Sequence, residues 1–269
     1  MQFPPGFDLD RLSPEQQQEL LDLLEAEQAY RAQRLFHALY PEQDTIWDGP
    51  TLLEGKVVRG KVLHSRHKYP KHMEFFAAGA EYRERCFRAA NRVGKSFGGG
   101  GYELTCHLTG LYPDWWVGRR FDHPISAWAA GDTYETTRDI IQADLFGKTT
   151  EGEGSRKTFE GRGIVPGDCI GPVTWRQGVS DLADTIRVKH VTGEWSVLGL
   201  KSYDQGRKKF QGTAKHVIWL DEEPPLDVYG ECLIRTATTG GIVMLTFTPL
   251  MGISDVVKSF QPGTYQLSK

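Results

Sequence analysis

Hydrophobic positions recur at two different spacings along this chain, and the spacing changes near residue 84. The first part begins with Ser13-Pro14, a helix-start signature in which Ser13 is the cap. A helix over residues 13–40 is predicted from its apolar positions, which are Leu20, Leu21, Leu24, Leu35, Phe36 and Leu39. Pro41 ends this helix, and a second helix is predicted at 70–81. The chain therefore opens with a helical extension.

From residue 84 onward, apolar strands alternate with amphipathic helices. The predicted strands are 84–90, 125–131, 185–190, 195–201, 215–220 and 241–247. The predicted helices are 95–109, 133–146 and 226–237. This alternation is typical of an α/β fold with a mainly parallel sheet and crossover helices, but it does not determine the strand order. Residues 147–168 hold six glycines and equal numbers of basic and acidic residues, which predicts a flexible loop.

The composition fits one large globular domain. The chain has 269 residues, of which 39% are hydrophobic and 25% charged, and its net charge is −3. Disordered, collagen-like and polycationic classes are therefore excluded. No stretch approaches the roughly 18 apolar residues of a membrane span and no leader is visible, so we expect a cytosolic protein. The four cysteines form no CxxC pair, which favours reduced structural thiols.

The strongest chemical signal is a strand and turn followed by Gly94-Lys95-Ser96 at the start of a helix. This is the pattern of a phosphate-binding loop, except that Ala89 replaces the usual first glycine. In such a loop the backbone N–H groups bind phosphates, Lys95 would reach the β- and γ-oxygens, and Ser96 would hold Mg²⁺. The residues expected to line the nucleotide site here are Arg88, Ala90, Asn91, Arg92, Val93, Gly94, Lys95, Ser96 and Phe97.

A second signal follows at residues 217–223, where an apolar strand ends in three acidic residues. At the carboxyl end of a parallel sheet, Asp221 would order Mg²⁺ and Glu222 would polarise an attacking water. A glutamate directly after the aspartate favours hydrolysis over transfer, and thus an ATPase over a kinase. For this segment alone, an acidic turn before Pro224-Pro225 is an equally good interpretation. The preceding Gly94-Lys95-Ser96 segment makes that alternative much weaker.

A third strand runs into Thr246-Phe247-Thr248-Pro249. Alone, this segment is a strand that ends in a turn, because threonine is common in strands and proline ends them. After the other two motifs, it brings the Thr246 and Thr248 hydroxyls to the γ-phosphate region.

With these segments in order, the chain resembles the large terminase subunit of tailed bacteriophages over roughly residues 65–255. The segments that carry the resemblance are RAANRVGKS at 88–96, AWAAGDTYETTRDIIQ at 127–142, LKSYDQGRKKFQG at 200–212, VIWLDEEPP at 217–225 and LTFTPLMG at 245–252. The resemblance implies a P-loop NTPase fold of the RecA-like additional-strand class. It also implies a deviant phosphate loop, which matches Ala89.

The resemblance assigns roles to individual residues. Asp221 would take the Mg²⁺ role and Glu222 that of catalytic base, whereas 246–249 would couple hydrolysis to DNA movement. A basic residue in or just before the loop would act on the γ-phosphate; Arg88 and Arg92 both qualify, and we favour Arg92. Tyr69 and His72 stand where the family contacts adenine, although an aromatic-proline pair before a helix is also an ordinary turn.

The resemblance further implies an ATP- and Mg²⁺-dependent motor that moves double-stranded DNA into a prohead in the host cytoplasm. Its partners would be the portal protein, the small terminase subunit and further copies in a ring, a pentamer in this family. We expect a helical extension at 1–64 and the ATPase domain at 65–269. Only 17 residues follow Gly252, so we expect neither the family's nuclease domain nor DNA cleavage. A RecA-like helicase and a nucleotide-binding scaffold without turnover are the alternatives.

Several further basic and hydroxyl residues have two interpretations each. Arg235 would be an arginine finger, a γ-phosphate sensor or a solvated helix residue. Thr133, Thr136, Thr137 and Arg138 favour helix capping over contacts with DNA or nucleotide. Candidate DNA contacts, which would otherwise be solvated charges, are Arg207, Lys208, Lys209, Arg156, Lys157 and Arg162. His64, His67 and His72 lack a fourth ligand, so no metal site is expected there.

Overall fold

The computed structural model describes residues 11–32, 34–49, 51–53, 56–58, 60–249, 252 and 254–261. Its helices are α1 Pro14–Ala32, α2 Leu35–Ala38, α3 Pro70–Ala78, α4 Tyr102–Thr109, α5 Tyr134–Thr136, α6 Ala143–Phe146, α7 Leu226–Ala237 and α8 Asp255–Ser259. Its strands are β1 Thr45–Trp47, β2 Thr51–Leu53, β3 Lys56–Val58, β4 Lys61–Leu63, β5 Glu84–Arg88, β6 Ser126–Gly131, β7 Thr149–Glu151, β8 Lys157–Phe159, β9 Ile170–Trp175, β10 Ala183–Lys189, β11 Trp195–Ser202, β12 Val217–Asp221 and β13 Ile242–Phe247. None of the described helices is long and apolar enough to cross a membrane.

A seven-stranded mixed sheet organises the fold, with the order β5-β13-β12-β6-β11-β10-β9. Five strands, from β5 to β11 in that order, run parallel, and β10 and β9 complete the sheet as antiparallel strands. The strand β13 lies between β5, which leads into the Gly-Lys-Ser segment, and β12, which ends at Asp221. An extra strand at this position defines the additional-strand class of P-loop proteins, so the predicted fold class is confirmed.

The six predicted strands are all present with their ends shifted by up to two residues, but two parts of the prediction were wrong. β10 and β11 form an antiparallel hairpin, and β9, which had no predicted counterpart, pairs with β10. The stretch 147–168, predicted as a flexible loop, contains the β7–β8 hairpin and buries Phe159, Ile164 and Val165. These apolar side chains pack into the main core, whereas the many glycines had indicated only turns.

The N-terminal part is less helical than predicted. Ser13 does cap α1, because its hydroxyl accepts a hydrogen bond from the Gln16 N–H at 3.2 Å. The single helix predicted at 13–40 is however interrupted, since Arg34 adopts an extended backbone before α2. Between 45 and 63 the chain forms two hairpins, β1 with β4 and β2 with β3. The expected boundary at 64/65 therefore follows a β-hairpin and not a helix.

Helices cover both faces of the sheet and position its carboxyl edge. On one face, α4 follows a π-helical segment, Lys95–Gly101, and packs over the centre of the sheet. A buried ion pair joins β5 to α4, with Arg85 Nη2 2.6 Å from Glu103 Oε1. On the other face, α7 packs over β12 and β13. The loop between β5 and Lys95 is thus held by a strand and a helix that are fixed to each other.

Candidate functional site

The phosphate-loop segment turns sharply between β5 and its helix. Gly94 adopts a left-handed backbone (φ 78°), and Arg92, a non-glycine residue, does the same (φ 63°). Behind the turn, a Cβ added at Gly100 would lie 2.2 Å from the Trp219 indole nitrogen. Only glycine therefore lets this helix approach β12 closely, and the approach brings Lys95 and Ser96 to the end of that strand.

Lys95 is the most unusual charge in this region. The residue is only 6% exposed, yet its ammonium has no hydrogen-bond or ion-pair partner among the described residues. An ammonium at the end of a largely buried side chain, with no carboxylate within 4.0 Å, is free to bind an anionic ligand. Together with the N–H groups that start the helix, Lys95 forms a site suited to phosphate.

Two hydroxyl groups converge on one carboxylate oxygen beside Lys95. Ser96 Oγ and Thr246 Oγ1 each donate to Asp221 Oδ1 at 2.7 Å, and Trp219 Nε1 donates to Thr246 Oγ1 at 2.7 Å. Burial raises the pKa of Asp221 to about 6, although these hydrogen bonds oppose the rise. The three predicted residues Ser96, Asp221 and Thr246 thus lie in direct contact.

Glu222 follows Asp221 with a left-handed backbone (φ 65°), a strained conformation for a residue with a side chain. Its N–H donates to the Thr246 carbonyl at 3.0 Å, and its own carbonyl accepts from the Tyr203 hydroxyl at 3.1 Å. Burial raises the pKa of Glu222, an effect that the Lys95 charge opposes. The side chain lines a cleft of about 460 Å³ at the sheet edge, together with Asp132, Asp221 and Thr248.

These donors fit a magnesium ion. Hydroxyl and carboxylate oxygens are the ligands that Mg²⁺ prefers, and it is commonly held by one or two protein oxygens together with waters and substrate phosphates. Ser96 Oγ and Asp221 form such a pair, and Asp221 Oδ2 accepts no hydrogen bond from the described residues. No group of three or more His, Cys, Asp or Glu in the described part of the chain is arranged as a metal site. Asp144, whose pKa is raised to about 7 by burial and then by the Asp221 charge, adds to the negative potential.

The strand β13 is tied to the phosphate loop. Thr248 Oγ1 lies 2.9 Å from the Ala89 carbonyl and 2.8 Å from Asn91 Oδ1. A movement of the segment after β13 would therefore be transmitted to the loop. This contact accounts for the predicted proximity of Thr248 to the loop.

A separate cavity of about 300 Å³ lies on the outer side of the loop. It brings together Tyr69, His72, Arg92, Val93, Gly94 and Phe97, all of which are sequence-predicted, with Leu39, Tyr40, Lys61, Val62, Leu63, His64 and Gly98. Tyr40 OH donates to the Gly98 carbonyl at 2.7 Å and lies 2.6 Å from His72 Nδ1. His72 Nε2 is 3.2 Å from the Val93 carbonyl. His72 thus supports the loop as well as lining the cavity.

The two basic candidates of the loop differ in position. Arg92 lines this cavity, whereas Arg88 lines a second cavity of about 810 Å³ between α3 and β5. Both are exposed, and neither forms an ion pair with the described residues. The choice of Arg92 over Arg88 stays a prediction.

Comparison with known proteins identifies the family. The family model described as "Terminase large subunit, T4likevirus-type, N-terminal" matches residues 86–266, which is more than half of the chain. The chain belongs to this terminase family. The large terminase subunit of Salmonella phage P22 is 38% identical over 271 residues, which cover 94% of this chain and 47% of that protein. The chain therefore spans about half the length of this relative.

Two solved terminase structures show weaker likeness. One is the large terminase of a thermophilic bacteriophage in complex with ADP, with a TM-score of 0.44 and 12% identity over 67% of this chain and 38% of that one. The other is a mutant ATPase domain of the Thermus phage P74-26 large terminase, with a TM-score of 0.36 and 16% identity over 63% and 61%.

Some sequence-predicted candidates lie away from the terminase site. Arg235 forms an ion pair with Glu231 at 3.0 Å. Its backbone carbonyl accepts a hydrogen bond from the Lys215 N–H, just before the start of β12, whereas Asp221 is at the other end of that strand. Arg235 therefore does not reach the phosphate loop of its own chain. Thr133 caps α5 as expected, because it exchanges hydrogen bonds with Thr136, and Arg138 pairs with Asp139.

The sequence did not predict three residues that contact the site or act on it through their charge, which are Tyr40, Asp144 and Tyr203. Tyr40 comes from the N-terminal part, and Tyr203 hydrogen-bonds the Asp221 and Glu222 carbonyls from the segment after β11. Each reaches the site through tertiary packing, so no local pattern marks it. The one available signal was for Tyr203, which lies in the family-like segment 200–212.

Proposed function

We propose that this chain is the ATPase motor domain of a large terminase, which hydrolyses ATP with Mg²⁺ to drive double-stranded DNA into a prohead. The observation that carries the proposal is Lys95, a side chain only 6% exposed whose ammonium has no hydrogen bond or ion pair with a described residue, next to the Ser96–Asp221 contact. The phosphates of a nucleoside triphosphate would supply the negative charge that Lys95 can bind. Family membership makes ATP the nucleotide to expect.

Each site residue then has a role. Lys95 and the loop N–H groups from Ala90 to Ser96 bind the phosphates, and Ser96 and Asp221 hold Mg²⁺. When bound, the ion neutralises phosphate charge. Glu222 orients and deprotonates the attacking water, a task for which its raised pKa suits it. Arg92 stabilises the γ-phosphate, with Arg88 as the alternative.

The outer cavity takes the nucleoside. The Tyr69 and His72 rings stack on each other with centroids 5.3 Å apart. Each of them also contacts the Tyr40 ring edge to face. The aromatic wall and Phe97 offer apolar surface to adenine and ribose. Thr246 and Thr248 report the state of the γ-phosphate to β13 and so to the DNA.

The larger assembly follows from family membership and stays a proposal, because the chain covers about half of its relative. We propose that the motor acts in the host-cell cytoplasm as a ring, a pentamer by family resemblance, with the portal protein and the small terminase subunit. The ATPase domain would cover residues 65–269 after an N-terminal extension at 1–64. Nuclease activity would belong to a separate C-terminal domain of the family.

Phosphate release from Mg·ATP tests this function. The wild-type chain and Glu222→Gln are compared without DNA, with double-stranded DNA and with single-stranded DNA, and nucleotide binding is measured in parallel. We expect turnover in the wild type, retained binding in the variant, and a rate lower by roughly 10²–10⁴. Binding without turnover in either protein would favour a nucleotide-binding scaffold, and stimulation by single strands alone would favour a helicase.

A further inference from the structure

In the described part of the chain, one face of β10 and β11 is partly exposed. On β11 the residues Ser196, Leu198 and Leu200 point into the main core, so Trp195, Val197 and Lys201 point to the opposite side. There α7 packs over β12 and β13, and Trp195 and Val197 remain 39% and 36% exposed. A half-open sheet face in a motor protein is a candidate contact surface.

This face is strongly basic. Between residues 187 and 210 the chain has six Lys or Arg and two Asp or Glu, although its total net charge is −3. Arg187 pairs in register with Val197 and Lys189 with Trp195, so both cations stand on the open side. Lys201 Nζ donates to the Lys209 carbonyl, which brings the turn that carries the exposed Lys208 and Lys209 to the same side. We call the set Arg187, Lys189, Lys201, Lys208 and Lys209 the basic sheet face.

The cations of the basic sheet face are not neutralised within the chain. In the described residues, no carboxylate oxygen lies within 4.0 Å of any of the five, whereas the neighbouring Arg207 and Arg176 pair with Glu231 and Asp184. Lys201 lies over the Trp128 ring at 4.7 Å and donates to the Lys209 carbonyl at 2.7 Å. Burial lowers the pKa of Lys201, and the charges of Arg176, Lys215 and Lys209 lower it further, whereas the Asp184 charge raises it.

We propose that the basic sheet face binds the phosphate backbone of double-stranded DNA. The strand β11 extends for about 20 Å along the face, roughly half a helical turn of duplex. Single strands are held by exposed aromatic platforms. Here Trp128 is only 6% exposed, and Trp195, which has Gly171 against one side of its ring, is 39% exposed. The face therefore offers one exposed ring and not the row of rings on which successive bases stack.

The proposal divides the DNA candidates predicted from the sequence. Lys208 and Lys209 belong to the basic sheet face. Lys157 instead pairs with Asp181 and lies over the Trp175 ring, and Arg162 pairs with Glu160 at 3.7 Å. The positive charge of this surface is observed whatever the function of the chain. The choice of duplex DNA as the bound polyanion rests on the proposed function.

The test compares two charge-matched double variants of the whole chain. Arg187→Ala with Lys189→Ala removes two cations from the basic sheet face. The control, Lys148→Ala with Arg120→Ala, removes two exposed cations that form no ion pair with a described residue. Binding of a labelled random-sequence duplex and of the matching single strand is measured by fluorescence anisotropy across a salt series. Thermal melts confirm that all proteins are folded, and Arg187→Lys with Lys189→Arg tests rescue.

We expect the first variant to bind the duplex about tenfold more weakly and to lose about 1.8 from the slope of log affinity against log salt, as two lost phosphate contacts require. The control and the rescue variant should bind like the wild type. Equal affinities of the two alanine variants would overturn the proposal, as would the absence of duplex binding in all proteins at low salt, which would point to an acidic protein partner. A change in single-strand binding alone would also overturn it. Basal Mg·ATP turnover, measured without DNA, tests the proposed function separately.

Discussion

At the residue scale, the site is built from charges and hydroxyls that lack their final partners. Lys95 is buried without an anion, and burial raises the pKa of both Asp221 and Glu222. Ser96 and Thr246 orient one oxygen of Asp221 and leave the other open. This combination favours a ligand that brings both negative phosphates and a cation.

Tyr40→Phe should weaken nucleotide binding. The Tyr40 hydroxyl donates to the Gly98 carbonyl and lies within hydrogen-bond distance of His72 Nδ1. Its loss would leave the His72 ring, which supports the loop, less firmly held. One hydrogen bond contributes about 1 kcal/mol, so we expect Kd for Mg·ATP to rise about fivefold in an isothermal titration. Tyr69→Phe is the control, because its hydroxyl has no hydrogen bond among the described residues. Equal losses in both variants would show that the contact does not matter.

At the element scale, the motif-bearing segments could be predicted and their surroundings could not. The phosphate-loop helix, β12 and β13 carry strong local patterns, and Ser96, Asp221 and Thr246 meet as their positions implied. The sequence did not predict β9 as a strand, because Gly171 and Pro172 interrupt its pattern. Its pairing with β10 and the contacts of Trp175 with β8 are tertiary and leave no local signal. Tyr40 and Asp144 reach the site through packing between distant segments, which no local spacing encodes.

Glu103→Gln should destabilise the frame of the loop. The carboxylate is fully buried and binds Arg85 at 2.6 Å, so its neutralisation leaves a buried guanidinium without a counter-charge. We expect the free energy of unfolding in urea to fall by about 3 kcal/mol. Glu74→Gln, which removes an exposed pair with Lys71, should change it by less than about 1 kcal/mol. Similar effects of the two changes would refute the importance of the buried pair.

The neighbouring His107 should make this frame sensitive to acid. Burial lowers its pKa in the folded chain, although Glu103 opposes the shift, whereas the unfolded chain takes up the proton near pH 6.5. Protonation therefore favours unfolding, and the His107 contribution to stability is fully present above about pH 6.5 and is lost as the pH falls through the folded-state pKa. His107→Gln should lose less stability than the wild type between pH 7.5 and 5 in urea titrations. Parallel pH profiles would contradict this account.

At the scale of the whole molecule, the proposed nucleotide and DNA surfaces lie on different parts of one sheet. The proposed nucleotide site lies at the carboxyl edge of β5, β13 and β12, and the basic sheet face lies on β10 and β11. The connecting strand β6 pairs with both β12 and β11, and Tyr203 hydrogen-bonds β6, Asp221 and Glu222. Tyr203 is two residues from Lys201 in the chain, so a movement of Asp221 or Glu222 would be transmitted to Lys201 through Tyr203.

The most direct test of the central claim is a titration of Mg·ATP into the wild type, Lys95→Gln and Lys148→Gln. Lys95 is the buried unpaired cation, and Lys148 is an exposed lysine with no ion pair to a described residue. The account predicts that the wild type and Lys148→Gln bind with equal affinity and that Lys95→Gln loses binding while it stays folded. Equal binding by all three proteins would show that the nucleotide site lies elsewhere.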